Sequence, residues 1–236
     1  MNDLLNEKLL DFIHRSPSMF HAAAAISEEL EASGFSRLCE TDAWALEPGG
    51  KYYAVRNGSS IIAFKIGRNP SNLSFRISAA HSDSPFFKIK SAPELKGPGE
   101  MIRLNVEAYG GMIDSTWLDR PLSVAGRVYV RNGKMIESRL FCTEKDVALI
   151  PNLAIHFNRE VNKGYAFNRQ TDLCPLFTAG ELKEGSFDAL IASQLGFEPE
   201  QILAKDLFLV NRQPGCIWGA ADEFISSPRL DDLQCA

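Results

Sequence analysis

Histidine is scarce in this 236-residue chain, with four residues, and its five cysteines are odd in number. Cys39, Cys142, Cys174, Cys216 and Cys235 are scattered, with no C-x-x-C pair. That excludes a disulfide framework and a zinc-finger arrangement, and it fits a reducing, cytoplasmic setting. No segment approaches the ~18 continuous apolar residues of a membrane span. The first twenty residues, "MNDLLNEKLLDFIHRSPSMF", mix acids and a basic pair with apolar residues at helical spacing. A secretory signal would need a basic start and an unbroken apolar stretch. There is no basic excess either: the formal net charge is -5, which argues against a nucleic-acid surface built from clustered Lys and Arg. No run of like charge, internal repeat or low-complexity tract is present.

What remains is ordinary globular material, 45% hydrophobic and 23% charged, enough for one large domain or two modest ones. Leu5, Leu9, Phe12 and Ile13 fall on one helical face. "SPS" breaks that pattern, and Ser18 reads as the N-cap of a second helix striped by Phe20, Ala23, Ile26 and Leu30 and stopped at Gly34. In "KYYAVRNGSSIIAFKIG" two β-rich runs flank Asn57-Gly58, the pattern of a tight hairpin. "NLSFRIS" reads as a third strand that delivers His81 at or just past its end.

From Lys90 to Pro98 the pattern dissolves, which we read as a crossing into a second, strand-rich domain. "MIRLNVEA", a hairpin about Asn132-Gly133 and "DLFLVN" supply strands, and "SFDALIASQLG" supplies a helix. The last stretch, "GAADEFISSPRLDDLQCA", starts a helix within whose first turn the chain stops, and so reads as a truncation.

Chemistry concentrates in "AAHSDSP". The two-residue spacing puts His81 and Asp83 on one side of an extended segment. His81 could ligate a metal while Asp83 orients a neighbouring group; the ordinary alternative is a polar turn. Asp231 and Asp232 after Arg229 read either as a charged helix start or as a source of a carboxylate that bridges two metal ions.

Five stretches in order then resemble one family. "SPSMFHA", "AAHSDSPFFKIK", "YGGMIDSTWLDRPLSVAGRV", "IPNLAIHFNREVN" and "DEFISSPRLDDL" resemble successive motifs of the aspartyl aminopeptidase family of dinuclear zinc metallopeptidases. The resemblance implies an α/β fold: a zinc-exopeptidase-like catalytic domain, incomplete here, interrupted by a β-rich dimerisation domain. We place the first catalytic part at 1–92, the inserted domain at 93–218 and the start of the second catalytic part at 219–236.

The resemblance implies that His81 ligates zinc, that Asp83 stands behind it and that Asp231 bridges two zinc ions, with Asp232 a neighbour. His156 would leave the inserted domain of one subunit for a partner's active site and stabilise the oxyanion there. Taken alone, His156 reads as a half-buried histidine beside Ile155 and Phe157. The implied reaction is release of N-terminal residues, acidic ones by the family's name, from peptide substrates. The implied assembly is a homo-oligomer, a dimer building to a dodecamer.

Family members are about twice as long, and their general base, in a Glu-Glu pair, and remaining ligands, an Asp and a late His, lie downstream of the bridging aspartate. Asp222 and Glu223 precede it and are not that pair. The chain alone is therefore expected to be inactive and poorly soluble. A related dinuclear hydrolase such as a dipeptidase, or a non-catalytic dimerisation remnant, are the alternatives. His21, Tyr109, Gly110, Gly111, Asp119 and Arg120 match motifs but read as structural, Asp119 with Arg120 as an ion pair.

Overall fold

The computed structural model describes residues 3–69 and 74–236. The chain divides into two compact units, one formed by 1–84 with 213–236 and the other by Pro85–Arg212.

The first unit opens with α1 (Asp3–Arg15) and α2 (Met19–Ala32). Ile13 is buried, whereas Leu5, expected on the same inward face, is 68% exposed, because no described side chain covers the first turn. Ser18 does precede α2, but its hydroxyl turns to His21 Nδ1 at 2.8 Å instead of capping the backbone. The far end closes as a Schellman turn. Gly34 takes φ +80°, its N–H donates to Glu31 O at 2.9 Å, and Phe35 N donates to Leu30 O at 2.9 Å.

β1 (Ser36–Leu38), β2 (Lys51–Arg56) and β3 (Ser60–Lys65) form a sheet in that order, β1 parallel and β3 antiparallel to β2. The β2–β3 hairpin turns at Asn57 and Gly58, both at positive φ (53° and 67°), as the Asn-Gly pair required. The expected strand 72–78 does not form over its described part. Residues 74–80 are irregular, with Phe75 80% and Ile77 87% exposed, since no described strand pairs with them. Asn72 and Leu73 lie outside the described residues.

The second unit is a barrel. It comprises β4 (Phe86–Lys96), β5 (Ile102–Tyr109), β6 (Pro121–Asn132), β7 (Met135–Cys142), β8 (Ala148–Leu149), β9 (Leu176–Thr178), α3 (Ser186–Leu195) and β10 (Ile202–Val210). The strands run β10-β4-β5-β9-β8-β6, and a pairing of β6 with β10 over Ser123–Val130 closes the ring, with β7 attached outside along β6. Flanked on both sides, β6 is buried without a break from Leu122 to Val128. Gly126 makes that closure possible: at φ +155°, a Cβ there would stand 2.0 Å from Asp206 O. Leu104, Leu122, Leu207, Leu209 and the α3 residues Phe187 and Ile191 fill the interior.

The start of this unit lies earlier than the sequence suggests. Residues 90–98, read as a crossing, are mostly strand, because β4 continues to Lys96. A register shift between Ile89 and Glu94 breaks the alternation that would have revealed it. Its end also lies earlier, at Arg212.

Back in the first unit, β11 (Cys216–Trp218) pairs with β12 (Phe224–Ser226), and a short α4 (Leu230–Leu233) follows. Leu233 is buried with Ile13 and Ala22, so the returning segment seats on α1 and α2.

Candidate metal centre

His81 lies in the irregular stretch after β3. Ser82 anchors that stretch, its hydroxyl donating to Ser59 O in the hairpin turn at 2.9 Å. Two residues on, Asp83 Oδ1 stands 2.9 Å from His81 Nδ1. A carboxylate only accepts, so Nδ1 carries the proton and the lone pair falls on Nε2. This is how a carboxylate prepares an imidazole to bind a metal.

The terminal acids reach the same place. Asp232 Oδ2 comes within 3.8 Å of His81 Nδ1, and Asp231 adds to the field around the ring. The hydrogen bond that His81 donates to Asp83, with the charges of Asp232 and Asp231 behind it, holds the His81 pKa above the ordinary imidazole value. Asp232 is itself pushed up, first by its hydrogen bond with Asp231, because two adjacent carboxylates resist a double charge. The chain breaks from helical geometry at Asp231 (φ -84°, ψ 111°), and the peptide between the two acids is cis.

Arg229 positions this acidic pair. Its Nη2 donates to Ile13 O at 2.9 Å and its Nε to Ser16 O at 3.1 Å, so the end of α1 holds the residue two places before Asp231. Sequence reasoning saw the Arg-Leu-Asp pattern but gave the arginine no task; its carbonyl partners, more than 200 residues upstream, leave no local signal.

The structure therefore brings His81, Asp83, Asp231 and Asp232 together within one unit. His156 belongs to the other unit, exposed on a turn in which Phe157 N donates to Ala154 O at 2.8 Å. His21 is a packed structural residue. Burial, aided by the positive Arg229, lowers its pKa to about 4. Gly110 lies at a bend with φ +75°, where an added Cβ would stand 3.4 Å from Pro85 Cα. Asp119, read as an ion-pair partner, uses Oδ1 to accept from Asn152 N at 2.7 Å.

Imidazole nitrogen and carboxylate oxygen are zinc's usual donors, and His81 with its oriented ring fits that chemistry. Among the described residues, however, no group of three or more His, Cys, Asp or Glu side chains could hold a metal ion. These residues fit zinc as part of a ligand set.

Comparison with known proteins agrees with the motif order. Residues 12–236 match the family model described as aminopeptidase I zinc metalloprotease (M18). A probable M18 family aminopeptidase 2 of Clostridium acetobutylicum is 44% identical over 236 residues, covering 97% of this chain and 54% of that protein. Among solved structures, the Ape4–Nbr1 complex gives a TM-score of 0.88 at 32% identity over 95% of this chain and 47% of that one. The S. cerevisiae mApe1 dodecamer gives 0.78 at 26% identity over 96% and 52%. The chain spans about half the length of the curated relatives it matches. With the ordered motifs, the fold and nearly its full length in agreement, this chain belongs to the M18 family of aminopeptidase I zinc metalloproteases.

Proposed function

We propose that this chain carries the N-terminal share of a zinc aminopeptidase that releases N-terminal residues from peptides, acidic ones being among those the resemblance implies. The observation that supports this most directly is the His81–Asp83 hydrogen bond with Asp231 and Asp232 beside it. His81 and Asp231 would hold zinc, two ions in the complete site, and Asp83 would fix the ring of His81. Bound zinc would supply Lewis acidity, lowering the pKa of a water and polarising the scissile carbonyl.

The chain's own residues do the rest. Asp83 keeps the Nδ1 proton of His81, so that Nε2 remains the donor atom. Arg229 holds the terminal acids against α1. His156 would donate to the developing oxyanion in a partner subunit. The barrel of 85–212 would then be the dimerisation domain of a homo-oligomer built up to a dodecamer, working in the cytoplasm.

Two protein ligands do not complete a dinuclear centre, and no base has been placed. A polypeptide ending at Ala236 would be inactive on this reading. The rival reading is a non-catalytic dimerisation remnant. Reading the coding DNA past codon 236 separates the two. A frame that continues into a Glu-Glu pair, an Asp and a late His, and whose product releases N-terminal residues in the presence of zinc, supports the enzyme. A stop codon directly after Ala236 refutes it and leaves the remnant. Efficient zinc-dependent release by the 236-residue chain itself would refute the claim that this share is inactive alone.

A further inference from the structure

The stretch "DSTWLD", residues 114–119, carries a carboxylate at each end, and both engage the same irregular segment. At one end Asp114 accepts from Arg169 Nε and Nη2, each at 3.0 Å, a two-point fork. At the other end Asp119 exchanges two bonds with the segment's start. Its N–H donates to Ile150 O at 2.8 Å, and its Oδ1 accepts from Asn152 N at 2.7 Å. Leu118 also bridges to Ile150 in parallel fashion, and both side chains are buried.

Between the two anchors the chain forms no strand and no α-helix, only short turns and a three-residue 3-10 helix at Val161–Lys163. His156 sits on the turn Ala154–Phe157, four residues beyond the Asp119-bound amide. Leu153, Ile155 and Phe157 around it are exposed, at 61%, 45% and 81%. Within one chain the tip is little packed, and Asp119 ties its base to the rest of the barrel. Asp119 adopts φ +56°, a left-handed conformation that Asp tolerates better than most residues and that turns its carboxylate back onto Asn152.

The geometry points to Asp119 as a positioning residue for His156, clamping the base of its loop so that the turn is presented in one place. The inference rests on the proposed role of His156. Asp119 does not meet the substrate; it acts through the loop.

The test uses the complete reading-frame product, an aminoacyl p-nitroanilide substrate and amide hydrogen exchange. Asp119→Gly keeps the positive φ and removes the acceptor. It is expected to lower kcat about tenfold while KM changes less than about twofold, as displacement of a reacting group does. Asp119→Asn keeps an acceptor oxygen and should recover most of the rate. In a His156→Ala background Asp119→Gly should add almost nothing, because both act through one group.

Exchange over 150–157 should speed up in Asp119→Gly, with β6 and β10 still protected. If protection in β6 and β10 is also lost, Asp119→Gly is measured at a temperature low enough to restore it, and the same rate and exchange criteria decide. Unchanged kcat in Asp119→Gly beside a crippled His156→Ala overturns the inference. If His156→Ala itself leaves kcat intact, the proposed role of His156 is what fails. Exchange over 150–157 then decides the clamp alone: faster exchange upholds it and unchanged exchange overturns it.

Discussion

The guanidinium of Arg229 donates to the carbonyl of Ile13 at 2.9 Å, across 216 residues of sequence. With the second bond to Ser16 O, it satisfies carbonyls at the C-terminal end of α1, where a cation also meets the negative end of the helix dipole. Arg229→Ala should destabilise the first unit by about 2–4 kcal/mol, the range for losing charged hydrogen bonds to buried carbonyls. Urea denaturation followed by hydrogen exchange reads this, and the barrel's protection should stay as it was. Arg229→Lys should restore only part, since an ammonium lacks the planar fork. A loss below about 0.5 kcal/mol would show the clamp to be incidental.

His21 makes that unit sensitive to acid. Its folded pKa is about 4, lowered first by burial and then by Arg229. The unfolded value is near 6.5. Between these values the unfolded chain binds more protons, so stability rises with pH. The contribution is fully present above pH 6.5 and is lost as pH falls to about 4, a change of up to about 3 kcal/mol. Denaturation at a series of pH values should show this slope, and His21→Gln should flatten it. An NMR titration of His21 with a midpoint above 6 would contradict the assignment.

Asp83 should matter to metal affinity more than to folding. In the complete reading-frame product, Asp83→Ala is expected to weaken zinc binding about 10–100-fold, the usual effect of removing a carboxylate behind a histidine ligand. His81→Ala should weaken it further. Competition with a chelating dye measures both, and zinc affinity unchanged in Asp83→Ala would remove Asp83 from the site.

The barrel should not tolerate a side chain at position 126. A Cβ there meets Asp206 O at 2.0 Å and Leu207 Cα at 3.0 Å, both on the facing backbone. Gly126→Ala must therefore part β6 from β10 or strain both, and a loss of about 4 kcal/mol or more is expected. Thermal unfolding of the variant checks it; a melting temperature within a few degrees of the parent's would mean the ring closes less tightly than described.

Local chemistry was the legible part of this molecule. The Asn-Gly turn at 57–58, the second hairpin (which turns at Gly133 and Lys134, one residue later than expected), the stop at Gly34 and the helix over 186–195 follow from residue types acting on their own backbone. Non-local pairing was not legible. Nothing in "LSVAGRVYV" announces that β10, some eighty residues on, will lie against it, although Gly126 marks the close approach in retrospect. The strand expected through Phe75 and Ile77 shows the converse: alternation describes a surface fit for pairing, and a strand forms only where a partner's amides are at hand. At the candidate site, His81 and Asp83 were readable because two residues suffice to aim one side chain at the other. Arg229 was not, because its task is defined by carbonyls on α1.

The order of the two units along the chain has a consequence for how the molecule is made. All of the barrel's residues have been synthesised once Arg212 emerges, so it can fold while the ribosome is still at work. The first unit cannot. Its helices and small sheet are translated first, yet Ile13 and Ala22 wait for Leu233, and the end of α1 waits for Arg229. The acidic half of the candidate site thus arrives in the same few residues that pack on α1, and the nascent chain has no means of gathering His81, Asp231 and Asp232 before that moment.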